Sequence, residues 1–220
     1  MTTTDATPAA TFSTALRDAT WENHRRAEHT PYLRALVAGK VDREGYAAMV
    51  AQHYFAYVVL EEAGRAMRDD PVAGAFVDES LVRLPALERD LHALLGPRWA
   101  EQIAPNEATR RYCDRMREVC FHWSFAFVAH HYTRYLGDLS GGQILARIVQ
   151  RKLGLDVDSG TAFYDFSAVG DLEAFKAAYR DRLDTSPWSA QEQQWFIAET
   201  AYAYDLNTEV LVQLDGWIRE

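Results

Sequence analysis

Residues 132–143 read Tyr132-Thr133-Arg134-Tyr135-Leu136-Gly137-Asp138-Leu139-Ser140-Gly141-Gly142-Gln143, three glycines inside a stretch whose flanks are patterned as helix. Each glycine costs a helix interior about 1 kcal/mol relative to alanine. A helix that keeps three of them gains something from the missing side chains. Two readings account for this. Either the helix is kinked where another helix crosses it closely, or a flat ligand lies against its main chain. Asp138, next to Gly137, supplies a carboxylate that can hold ordered water beside such a ligand.

Outward from this stretch, apolar residues recur three and four apart, two-residue alternation is scarce, and breakers fall between long blocks. The pattern predicts an all-α, single-domain multi-helix bundle. Ser13 reads as the cap of a first helix reaching His29, and Pro31 opens a short second helix that Gly39 ends. Asp42 opens a third helix to about Asp69, ahead of Pro71. A helix over Leu84 to Leu95 stops at Gly96-Pro97. Another runs from Asn106 to about His122, and a long one runs from Ser124 through the glycines to Leu153-Gly154. Residues 155–170 read as irregular, Asp171 caps a helix to about Asp184, and Ser189-Ala-Gln-Glu192 is a capping box for a last helix to about Leu214. The boundaries expected are a flexible tail over 1–12, one domain over 13–215 and a short C-terminal tail over 216–220.

With 220 residues, 48% of them apolar and 12% aromatic, the chain can bury one full core. Its 23 basic and 32 acidic residues give a net charge of −9, which disfavours a polyanionic partner, so no nucleic acid is expected. Cys113 and Cys120 lie two helical turns apart, too far for a relaxed disulfide, which suits a reducing cytoplasm. Met1 to Ala10 has no basic start or apolar run, and no stretch approaches the roughly 18–20 apolar residues of a membrane span. No secretion and no membrane anchor are expected, and Gly216 to Glu220 carries no membrane tail.

In the first helix Leu16, Thr20, Asn23, His24 and Ala27 fall near one stripe, so His24 points inward. Glu28, one turn on, can hydrogen-bond its ring. Such a histidine is either a satisfied core residue or a metal ligand with an orienting carboxylate, and spacing leaves both open. His29, His53, His92, His122, His130 and His131 lack the convergent spacing of a zinc site and read as structural.

The run Tyr135 to Gln143, taken with His24-x-x-x-Glu28, resembles the heme oxygenases. The resemblance extends from about Ser13 to Val212 and includes Ala51 to Glu62, Gly96-Pro-Arg-Trp99 and Phe175 to Arg180. It implies heme held between the first helix, the proximal side bearing the iron ligand His24, and the kinked helix, the distal side. Gly137, Gly141 and Gly142 would let the distal helix close over the iron and steer O2 toward a meso carbon. Asp138 would anchor waters that deliver a proton, with Tyr57 and Arg134 in the same hydrogen-bond network. Arg17, Lys176 and Arg180 match basic positions near the propionates, and Tyr132 would donate to one. Glu28 would hold the second nitrogen of His24 and leave a nearly neutral imidazole.

The activity implied is oxidative opening of heme, at once substrate and cofactor, by O2 and electrons to biliverdin, CO and Fe2+, with the α isomer expected. No flavin, dinucleotide or iron–sulfur motif is present, so the electrons are expected from a separate reductase or ferredoxin, for which a basic patch at the heme edge would suit an acidic donor. The absent tail points to a soluble bacterial type used for iron release. Two positions depart from many relatives. Trp21 stands in place of a second lysine, which weakens or rearranges the propionate clamp, and Asp205 stands in place of an asparagine near the distal network. Both bear on how heme is seated and on regiochemistry. A non-catalytic heme carrier is the main alternative, and it would have no use for Asp138. A helical enzyme of thiaminase-like architecture would need a nucleophile, and neither Cys113 nor Cys120 lies in a motif that supplies one.

Overall fold

The computed structural model describes residues 11–219, and among these all regular structure is helical. The α-helices are α1 (Phe12–Glu28), α2 (Pro31–Ala38), α3 (Arg43–Ala66), α4 (Leu84–Leu95), α5 (Trp99–Gln102), α6 (Glu107–Val119), α7 (Ser124–His131), α8 (Gln143–Leu153), α9 (Leu172–Thr185) and α10 (Ala190–Val212). The long α10 packs on α1, α6 and α7, while α3 packs on α4 and α6. Their facing sides bury Leu16, Tyr46, Tyr57, Tyr112, Phe127, Tyr179 and Phe196 in one continuous core.

Local sequence chemistry sets half of the helix starts. Side chains of Thr30, Asp42, Asn106, Asp171 and Ser189 accept hydrogen bonds from the first free N–H groups of α2, α3, α6, α9 and α10. Gly39 and Gly154 end α2 and α8 with φ of 81° and 65°, which favour glycine. Ser13 is not such a cap. It lies inside the first turn of α1, Thr11 occupies the cap position, and the Ser13 N–H and hydroxyl donate to Asp184 at 2.6 and 2.9 Å. The capping carboxylate therefore comes from α9, 171 residues away.

The N-terminal tail expected over 1–12 lies almost wholly outside the described residues, and Phe12 already belongs to α1. At the other end, residues 216–219 are tied down. A turn over Asp215–Trp217 is followed by Arg219, whose N–H donates to Lys40 O at 2.8 Å and whose guanidinium pairs with Asp42 at the start of α3. Cys113 and Cys120 are free and buried. No helix among the described residues is long and apolar enough to cross a membrane.

The glycine stretch does not interrupt its helix. Between α7 and α8 the chain continues through two π-helical segments, Tyr132–Leu136 and Asp138–Gly142, joined at Gly137 with φ −63° and ψ −50°. A π-bulge widens the helix and re-aims the side chains that follow, and such bulges are common where a helix serves a ligand.

One buried ionic tie fixes α10 against its neighbours. Glu199 meets His130 Nε2 of α7 at 2.9 Å and the Arg115 guanidinium of α6 at 3.0 and 2.6 Å. Burial alone would raise the Glu199 carboxyl, but hydrogen bonds from His130 and Arg115 outweigh it and hold the group at about 2, below its ordinary 4.5. The depressed value means that the stabilisation is full above pH 4.5 and is lost as pH falls toward 2, an amount of about 3 kcal/mol. The stability gap between the wild type and Glu199→Gln, measured by denaturant unfolding, is therefore expected to close as pH drops from about 5 to about 2. A gap independent of pH would refute this.

Candidate active site

α1 and the π-helical stretch face each other across a slot. It comprises a cavity of about 280 Å³, with an apolar wall from Leu33, Met49, Leu145, Ile148 and Leu211, and a second of about 240 Å³ bordered by Arg17, Trp21, Tyr132 and Arg180. Both are lined by His24, Gly137 and Tyr204, so they are two lobes of one space. Together they fall in the size range of small-molecule sites, about 300–1,000 Å³. One lobe is apolar and the other has two guanidinium groups and a phenol at its edge, a division suited to a flat apolar ligand with an anionic margin.

His24 sits on the floor between the lobes. Its Nε2 lies 3.6 Å from Glu28 Oε1, so the hydrogen bond expected from the i,i+4 spacing is not made, and its Nδ1 is buried without a partner. A buried polar atom left unpaired costs about 1–3 kcal/mol, and in native proteins it usually serves a ligand or a reaction. Among the described residues no cluster of three or more His, Cys, Asp or Glu could cage a metal ion. A macrocycle that brings its own four nitrogens asks only for a lone axial histidine.

Opposite His24 the three glycines do different things. A Cβ on Gly137 would meet nothing within 4 Å, so this residue opens onto the slot. A Cβ on Gly141 would lie 3.6 Å from Glu28 Oε1, bringing the distal backbone close to α1. Gly142 allows close packing on Tyr164, whose ring carbon would be 3.3 Å from a Cβ. Gln143 ties the same junction by donating to Tyr164 O at 3.0 Å and Asp138 O at 3.3 Å. Behind it, Asp90, pushed by burial to about 6, accepts from the N–H groups of Ala162 and Phe163 at 2.7 and 2.8 Å and so fixes the Tyr164 turn.

The distal side carries a connected polar network. The Tyr57 hydroxyl donates to Asp138, and the Arg134 guanidinium lies 5.0 Å over the Tyr57 ring. Arg134 in turn donates to Asn207 Oδ1 at 2.6 Å and to His53 Nδ1 at 2.9 Å. Because arginine only donates, His53 accepts through Nδ1 and is neutral, in keeping with burial and Arg134 both lowering its pKa. Burial raises the Asp138 carboxyl, against the opposing pull of Arg134 and Tyr57. A carboxyl with a raised pKa at the edge of a cavity is suited to moving protons.

Of the residues read from sequence, His24, Glu28, Arg134, Gly137, Asp138, Gly141 and Gly142 line the first lobe, and Arg17, Tyr132 and Arg180 line the second. Tyr57 joins through Asp138. Lys176 lines neither; its ammonium is paired with Glu173 at 2.6 Å. Asp205 is corrected. It faces α1, accepting from Asn23 at 2.9 Å and Arg26 at 2.5 Å, and the asparagine of the distal network is Asn207, two residues on. His53, read as structural, belongs to the network; nothing in its local spacing marks it, because its partner is 81 residues away.

Gly137→Val is expected to fold as well as the wild type, since the added side chain meets open space and glycine is the poorer helix former. The same side chain fills the slot between His24 and the distal helix, so hemin affinity is expected to fall by about 10² or more, the effect of a few buried methyl groups placed against a ligand. Thermal melting and hemin titration check the two halves separately. Unchanged hemin affinity would mean that no ligand lies over Gly137.

The heme oxygenase family model matches residues 10–213. Over 209 residues the chain is 35% identical to the heme oxygenase of Porphyra purpurea, covering 95% of this chain and 89% of that protein. The crystal structure of heme oxygenase-1 from the cyanobacterium Synechocystis sp., in complex with heme, superposes with a TM-score of 0.89 at 34% identity, covering 94% of this chain and 93% of that one. A TenA homologue from P. horikoshii superposes at 0.69 with 13% identity, a likeness of fold alone. From the near-complete family match and the identity to its members, the chain belongs to the heme oxygenase family.

Proposed function

We propose that this protein is a heme oxygenase that opens heme, with O2 and electrons from an external reductase or ferredoxin, to biliverdin, CO and Fe2+, the α isomer being the product. The observation that carries this reading is the pairing across one slot of a histidine bearing an unpartnered buried nitrogen with a glycine-rich helix that presents a half-buried carboxylate. Bound heme iron would supply the centre at which O2 is activated. His24 would hold the iron through one ring nitrogen, with the Glu28 carboxylate 3.6 Å from the other.

The apolar lobe receives the body of the macrocycle. Arg17, Arg180 and the Tyr132 hydroxyl receive its carboxylates. Lys176, one turn before Arg180 on the same face of α9, joins them by exchanging Glu173 for a propionate. Gly137, Gly141 and Gly142 keep side chains out of the space where oxygen must bend toward the ring. Asp138 holds the proton at its carboxyl, Tyr57 fixes that carboxyl by donating to it, and Arg134, locked by Asn207 and His53, fixes Tyr57. The free cysteines suit a reducing cytoplasm.

The test is titration of the purified protein with hemin, followed by reduction in air with catalase present to remove free peroxide. Loss of the Soret band with appearance of biliverdin absorption and CO is the expected result. A stable Soret complex that never opens would make the protein a heme carrier, and no Soret complex would defeat the reading altogether.

A further inference from the structure

His24 lacks the hydrogen bond that ordinarily orients a ligating imidazole. Glu28 stops 3.6 Å from Nε2, and Nδ1 has no partner. Without such a bond the ring plane is free to librate about the Cβ–Cγ bond, unless packing holds it. Packing does hold it. Trp21, three residues earlier on the same face of α1, lays its indole along the imidazole with ring centroids 5.5 Å apart and planes 14° apart. Tyr204 from α10 meets the imidazole edge to face at 5.6 Å and 88°.

We propose that Trp21 is a positioning residue that sets the plane of the His24 imidazole relative to the heme; this rests on His24 being the iron ligand, as proposed above. Stacking engages only the π face of the imidazole. The two nitrogens lie in the ring plane and remain available, one for iron and one for Glu28, so the contact orients without competing. The indole is also 53% exposed, so burial gives little reason for a tryptophan here, whereas contact with the imidazole and with the second lobe does. A lysine at this position would add charge near the anionic margin but could not fix a ring plane.

The plane of an axial imidazole sets the orientation of the unpaired electron's orbital in low-spin ferric heme, and the spread of the four heme-methyl proton shifts reports it. The experiment compares the ferric cyanide adducts of the wild type, Trp21→Phe, Trp21→Ala and Trp21→Lys by proton NMR, with hemin dissociation rates alongside. Phe is expected to keep the wild-type order and spread of methyl shifts, and Ala and Lys to change them alike. Hemin should leave the Ala variant about two- to twelvefold faster, the worth of one aromatic pair. A wild-type methyl pattern in all three variants would overturn the proposal. So would a wild-type pattern in Lys alongside an altered one in Ala, because charge rather than ring contact would then be the cause. If the wild type binds no hemin, or if His24→Ala gives the same methyl pattern as the wild type, the ligand assignment fails first and this proposal falls with it.

Discussion

Asp138→Ala is expected to take up hemin within a few-fold of the wild type and to open its ring about 10²–10⁴-fold more slowly, the usual range for loss of a positioned proton donor. Asp138 lines the slot, but on the proposed reading the apolar wall, His24 and the two arginines would hold the ligand without it. What disappears is the half-buried carboxyl whose pKa desolvation raises. The alanine variant also strands the Tyr57 hydroxyl, at about 1–3 kcal/mol, and should melt at a lower temperature. Asp138→Asn separates the two effects. It still accepts from Tyr57 and should keep the stability, yet it cannot hold a proton and should be as slow as alanine. Single-turnover loss of the Soret band, compared with hemin affinity and melting temperature, distinguishes the cases. Ring opening at the wild-type rate in Asp138→Asn would remove the carboxyl from proton delivery and leave it a structural acceptor.

The contrast between Asp138 and its neighbours also marks where sequence reasoning reached its limit. Helix ends governed by local chemistry were legible: Leu84–Leu95 matches its expected span, and Asp42, Asn106, Asp171 and Ser189 cap where expected. Ser13 was misread because α1 begins under a carboxylate borrowed from α9, a partner no local pattern reveals. The glycine stretch announced that a backbone was being kept bare. It could not announce a π-helix, since that geometry depends on what packs on each side.

The site shows the same division. His24 and Asp138 were singled out by the resemblance, since local context alone left each a structural reading as well. His53 and Asn207 were not, because each looks ordinary on a long helix and acquires its role only by meeting Arg134. The slip from Asn207 to Asp205 is two positions. On a helix that is about 200° of rotation, enough to move a side chain from the slot to the face that meets α1. Lys176 shows a different limit: its position on α9 was legible, but its present partner, Glu173, is an equally local acid that sequence gives no reason to prefer over a ligand.

His24→Ala carries the second large effect, and its outcome depends on the surroundings of the removed ring. Hemin is still expected to enter, because the apolar lobe and the arginine edge are untouched. The Soret band should shift, and ring opening should fall by more than the roughly 10–100-fold that loss of an orienting residue costs a metal site. Deletion leaves a pocket of imidazole size between the Trp21 indole and the Tyr204 ring, the two groups that clasp His24. Free imidazole is therefore expected to occupy it, return the Soret band to its wild-type position and restore ring opening. Restoration by imidazole would assign the lost function to the ligand rather than to folding. An unchanged Soret band in His24→Ala would place the ligand elsewhere, and the other histidine lining the slot, His53, would be the next residue to remove. Its neutral ring is tied through Nδ1 to Arg134 on the distal side, so iron there would have to compete with a buried guanidinium for the same histidine. That competition is the physical reason to expect iron on the His24 side.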